Sequence, residues 1–195
     1  MKSIRIIQDE HRSITAIIEG LRQLLAEVEA GRAAPDFDLL AAMFRYIEAF
    51  PERLHHPKED DFLFARLRLR RPDSAPLLDA LHAEHVHGRQ AFAELKAALD
   101  LYQQDPQTLR AFVERVERYS HFHWRHMRRE EDEVLPLAAE ALTGEDWDGI
   151  DAAFASNNDP VVGVSASREF RALFRRIVAL APPPLGVGPE APARK

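Results

Sequence analysis

The sequence predicts an all-α protein, an antiparallel up-down four-helix bundle with a short C-terminal helical extension. Apolar residues recur at i, i+3, i+4 and i+7 along nearly the whole chain, which is the period of a helix with one buried face. Four such stretches of about 30 residues are separated by breaks of only a few residues, and short connections force antiparallel neighbours. The chain has 195 residues, 46% of them hydrophobic, which suits one buried core and leaves little room for two full domains.

Helix one is expected over roughly residues 3–30, carried by Ile4, Ile7, Ile14, Ile17, Ile18, Leu21, Leu25 and Val28 and stopped at Gly31. Helix two runs from about Asp38 to about Leu69 on Leu39, Leu40, Met43, Phe44, Ile47, Leu54, Phe62 and Leu63. Pro51 and Pro57 fall inside it, and each removes an amide hydrogen bond and crowds the carbonyl four residues back, so a kink is expected. Arg71-Pro72-Asp73-Ser74 stops helix two and caps helix three, whose face of Leu77, Leu78, Leu81, His85, Phe92, Leu95 and Leu99 extends to about Tyr102. Asp105-Pro106 opens helix four, in which a polar stretch from Ser120 to Glu133 interrupts the apolar spacing. The bundle occupies residues 1–142. Residues 143–181 form an extension with helices at about 146–155 and 165–180, its apolar residues suited to covering a bundle face or forming a homodimer interface. The proline- and glycine-rich residues 182–195 are expected to be a flexible tail.

Composition narrows the chemistry. The 26 Lys and Arg are interspersed with 32 Asp and Glu, which leaves a net charge of −6 and no basic face for nucleic acid. No stretch approaches the roughly 20 uncharged apolar residues of a membrane helix, and the first seven residues are too short and mixed for a secretory signal, so a cytoplasmic location is expected. There are no cysteines, which excludes disulfides, thiolate metal sites and thiol catalysis. Nitrogen and oxygen must carry any metal chemistry.

Nine histidines, at positions 11, 55, 56, 82, 85, 87, 121, 123 and 126, are the anomaly, and none follows residue 126. Helices two and four share a His-x-x-x-Glu pattern, His55 to Glu59 and His126 to Glu130. That spacing places an imidazole and a carboxylate one turn apart on one helix face, where both reach the same ion. Helices one and three supply His11 and His85. With a rise of about 1.5 Å per residue, His11 lies roughly 12 Å and His85 roughly 16 Å below the starts of their helices. The 55/59 and 126/130 pairs lie about 20 and 21 Å before the ends of theirs. In an antiparallel bundle those ends coincide, so the six groups share one layer. A lone histidine on a helix face is ordinarily a surface residue, but two pairs and two singles at one height point to metal. Four imidazoles and two carboxylates suit iron or manganese, with zinc also open.

The segments Asp9-Glu10-His11-Arg12, His55-His56-Pro57-Lys58-Glu59-Asp60-Asp61-Phe62-Leu63-Phe64, Ala83-Glu84-His85 and His126-Met127-Arg128-Arg129-Glu130-Glu131 resemble, in this order, the hemerythrin-like or HHE cation-binding family. The resemblance covers residues 1 to about 142. It implies a non-haem di-iron centre, its two iron ions bridged by oxo and carboxylate groups, with His11, His55, His85 and His126 as terminal ligands and Glu59 and Glu130 as bridges. It also implies a small partner molecule such as dioxygen, nitric oxide or peroxide.

Some features depart from the family. Its oxygen carriers use five histidines, two of them four apart on helix three, whereas here His82 and His85 are three apart and position 81 is Leu81. His82 is a candidate fifth ligand or a neighbour of the ligands. His56 points about 100° from His55 on a regular helix and becomes an alternative only if Pro57 distorts the turn. Glu84 is a candidate acceptor beside the ligands, His121 and His123 are placed at the bundle margin, and His87 on the surface. The family's usual Leu-Phe-Pro reads Leu63-Phe64-Ala65. The leading functional expectation is a di-iron protein that binds or senses a small ligand. The alternatives are a di-iron enzyme, reducing peroxide or nitric oxide or delivering iron for iron-sulfur repair, and a metal-free helical interaction module.

Overall fold

A computed structural model describes residues 1–156, and every regular element within them is helical. The expected helix at 165–180 and the tail at 182–195 lie outside the described residues. Helix α1 spans Lys2–Glu29. The chain leaves it at Gly31, whose φ of 69° is the left-handed conformation that glycine adopts without a Cβ clash. Asp36 caps the next helix by accepting the Leu39 amide at 2.9 Å.

Helix α2 is compound. An α-helical part, Phe37–Ala49, leads into a wide π-helical turn at Pro51–His55, one α-helical turn at His56–Lys58, a second wide turn at Glu59–Phe64 and a last α-helical part, Ala65–Arg70. The expected kink is therefore a pair of widened turns within a continuous helix. The Phe50 carbonyl accepts both the Leu54 amide (3.0 Å) and the His55 amide (3.1 Å), the second from five residues on. Pro51 supplies no amide, and the Pro57 ring crowds the carbonyl of Arg53, so the regular ladder is lost where the turn widens.

Helix α3 spans Ala75–Gln104. Helix α4 begins at Leu109–Arg129, widens at Glu130–Val134 and finishes at Leu135–Ala141. The wide turns at Pro51–His55 and Glu130–Val134 each end two residues before a proline, Pro57 and Pro136. No proline accounts for the one at Glu59–Phe64. Helix α5, Gly144–Ala155, starts at a reciprocal cap between Thr143 and Asp146.

Two apolar clusters fill the interior. One joins Ile14, Ile17, Leu21, Leu40, Phe44, Phe50, Phe92, Tyr119 and Met127. The other joins Ile7, Leu63, Phe64, Leu81, Val134, Leu135, Trp147, Ile150 and Phe154. Each of the four long helices passes from one cluster to the other, and the residue between them is His11, His55, His85 or the Glu130 turn. The polar layer is thus sealed above and below by hydrocarbon. Helix α5 belongs to the second cluster and is tied to α1 by Asp151, which accepts from the Ser3 amide (2.7 Å) and hydroxyl (2.6 Å). Among the described residues no helix is long and apolar enough to cross a membrane.

Candidate metal centre

All six expected ligands are buried to 3% exposure or less: His11, His55, Glu59, His85, His126 and Glu130. Helix α1 contributes the first, the wide turns of α2 the next two, α3 the fourth, and α4 the last two, His126 from its α-helical part and Glu130 from its wide turn. The structure brings them together. Glu59 Oε1 lies 3.4 Å from His55 Nε2 and 3.7 Å from His11 Nε2, while its Oε2 lies 3.6 Å from His85 Nε2. Glu130 mirrors this, with Oε2 3.4 Å from His11 Nε2 and Oε1 3.4 and 3.3 Å from the Nε2 atoms of His85 and His126. Each carboxylate presents one oxygen to the His11/His55 side and the other to the His85 side.

The opposite ring nitrogens are all engaged. Nδ1 of His55 donates to Glu10 at 2.8 Å, that of His85 to Asp60 at 3.1 Å, that of His126 to Glu84 at 2.9 Å and that of His11 to Glu131 at 2.8 Å. Every acceptor sits next in sequence to a proposed ligand on one helix and holds a histidine on the next. The order is α1 to α2, α2 to α3, α3 to α4, and α4 back to α1. The circuit fixes each imidazole with Nε2 inward. Glu84 is therefore an acceptor, as considered from the sequence, whereas the roles of Glu10, Asp60 and Glu131 were missed. Their signal was an acidic residue beside a ligand, common enough on helix surfaces to carry little weight alone.

The inward atoms have nothing to bond. Nε2 of His11, His55, His85 and His126 and both oxygens of Glu59 and Glu130 are buried without a hydrogen-bond partner. Eight such atoms in one place would carry a large desolvation cost if left alone. They are nitrogen and carboxylate donors converging on two groups, His11/His55/Glu59 and Glu59/His85/His126/Glu130, each with one atom per residue within 4.8 Å of the others. The donor set fits two cations.

Electrostatics give the same picture. Burial works against a charged His11, but Glu130, Glu131 and Glu59 outweigh it and hold its pKa well above the usual histidine value. His85, opposed by burial and helped by Asp60, Glu130 and Glu59, is raised to about 10. Burial raises the Glu130 pKa, yet His126, His11 and His85 draw it well below the usual carboxylate range.

The remaining histidines divide. His82 is 58% exposed in its side chain and pairs through Nδ1 with Asp60 at 3.0 Å, so it faces outward while sharing the carboxylate that holds His85. His87 and His121 are exposed. His123, expected at the margin, is buried to 1% instead, with its ring 4.3 Å from Tyr119, because its helix face turns in where α3 approaches at Gly88. A Cβ at Gly88 would stand 3.3 Å from Phe122 and 3.8 Å from the His123 ring. His56 is also buried, to 2%, because the wide turns on either side of it bring both members of the His55-His56 pair inward.

Residues 2–138 match the family described as the hemerythrin HHE cation-binding domain. No curated protein and no solved structure matches the chain.

Proposed function

The chain belongs to the hemerythrin HHE cation-binding family, and we propose that it holds two iron ions with which it binds or senses a small ligand, dioxygen, nitric oxide or peroxide. The observation that carries this reading is the convergence of eight buried, unpartnered donor atoms from six residues on a dry layer. In the proposal the four long helices run up, down, up, down, which sets all six residues at one height. His11 and His55 hold one ion, His85 and His126 the other, and Glu59 and Glu130 span both, one oxygen to each. Bound iron supplies a redox-active centre with a position for an exogenous ligand.

The protein's own part is to orient, to insulate and to admit. The carboxylates on Nδ1 fix the tautomer and raise the basicity of each imidazole. The two apolar clusters keep bulk water from the layer. A surface hollow of about 380 Å³, lined by His11, Trp124, Met127, Arg128 and Glu131 among others, reaches the edge of the centre at His11.

The test is metal analysis with an absorption spectrum of protein purified under iron-replete conditions, before and after dithionite, air and nitric oxide. About two irons per chain, with visible bands that respond to these reagents, support the reading. Absence of metal, or zinc indifferent to all three, overturns it in favour of a helical interaction module. Net consumption of peroxide or nitric oxide under turnover conditions would make the protein an enzyme and not a carrier or sensor.

A further inference from the structure

We infer that His56 is a fifth histidine ligand, joining His85 and His126 on one ion and so making the two metal positions inequivalent. The inference rests on the di-iron reading above and extends it to a residue outside the six.

On a regular helix, adjacent residues diverge too far for both to enter one site. Here widened turns flank His56, and it lies in the layer, with a ring nitrogen within 4.8 Å of nitrogens of both His85 and His126. The ring centres lie 4.5 Å apart for His56–His85, 4.7 Å for His85–His126 and 5.5 Å for His56–His126, within reach of one ion; the His56 and His85 rings are nearly parallel, at 16°, so sharing that ion requires the His56 ring to turn. His123, whose ring centre lies 5.9 Å from that of His56, joins no such group.

Like the other four, His56 has a carboxylate on its Nδ1 side, but here no hydrogen bond is made: Nδ1 is buried without a partner and faces Glu52 Oε2 at 3.8 Å. Glu52 is buried to 7%, and its other oxygen accepts from the Tyr119 hydroxyl at 3.3 Å, which anchors it. A small shift on metal binding would close the gap and leave Nε2 of His56 to the ion. Glu52 is then the positioning residue for His56. The position with three imidazoles takes His56, His85 and His126, and the other takes His11 and His55.

The test compares wild type with His56→Phe, which keeps ring volume and removes the nitrogens. Wild type is expected to bind two irons and the variant to lose affinity for one of them at least tenfold, with helical circular dichroism retained. His56→Ala should regain the second ion when free imidazole is added, which packing alone would not produce. Should either variant fail to fold, ¹⁵N-histidine NMR of zinc-loaded wild type decides, with five metal-shifted imidazoles expected. Two tightly bound irons in His56→Phe, or four shifted imidazoles in wild type, overturn this inference and leave the six-residue centre standing. No metal in wild type overturns both.

Discussion

Glu131 accepts the Nδ1 proton of His11 at 2.8 Å, and this contact closes a circuit in which each of the four long helices holds a histidine of its neighbour. The relationship is cyclic, so no ligand can tilt without disturbing a carboxylate that stands beside another ligand.

The circuit predicts that Glu10→Gln, which keeps the shape of a side chain 3% exposed and removes its charge, leaves the fold intact and weakens metal binding about 10- to 100-fold. Competition with a chelator of known affinity measures this. Unchanged affinity would show that the His55 tautomer is set by something else.

Ligand removal should couple loading to stability. His126→Ala and Glu59→Ala are expected to lower metal content and melting temperature together, since an ion at 100 times its Kd contributes about 2.7 kcal/mol. Full loading in both variants would sink the ligand assignment.

The titration behaviour of the metal-free protein has a definite sign. The His85 pKa is raised to about 10, against about 6.5 for an unfolded histidine. Its contribution to stability is therefore fully present below about pH 6.5 and is lost as pH rises toward 10. Urea unfolding of the metal-free chain should show lower stability at pH 9.5 than at pH 7, and the difference should shrink in His85→Gln. Metal uptake near neutral pH should release protons, read as a dependence of calorimetric heat on the ionisation enthalpy of the buffer.

Helix α5 is part of the core and not an ornament. Phe154 is fully buried, and its ring lies edge-on to His55 at 6.4 Å. Phe154→Ala is expected to cost about 3–5 kcal/mol in chemical denaturation and to loosen the second cluster. A cost below about 1 kcal/mol would mean that α5 detaches without consequence.

The sequence alone determined the helical class, the extents of α1, α3 and the start of α4 to within a few residues, and the layer of six. Helical periodicity and a fixed rise per residue are local properties, so the spacing of His55 and Glu59, or of His126 and Glu130, could be read before any contact was known. The match over residues 2–138 agrees with the family resemblance that those motifs carry. The wide turns were decided elsewhere. Prolines announced a distortion in α2, but whether it bends the axis or inserts a residue depends on what the neighbouring helices must bury. Because that choice fell to the tertiary structure, so did the fates of His56 and His123, both drawn inside. Glu84 was a candidate acceptor from its place beside His85, but the roles of Glu10, Asp60 and Glu131, and the circuit they close, were equally invisible. An acidic residue beside a histidine is common on helix surfaces, and only the packing of four helices shows which imidazole each carboxylate meets.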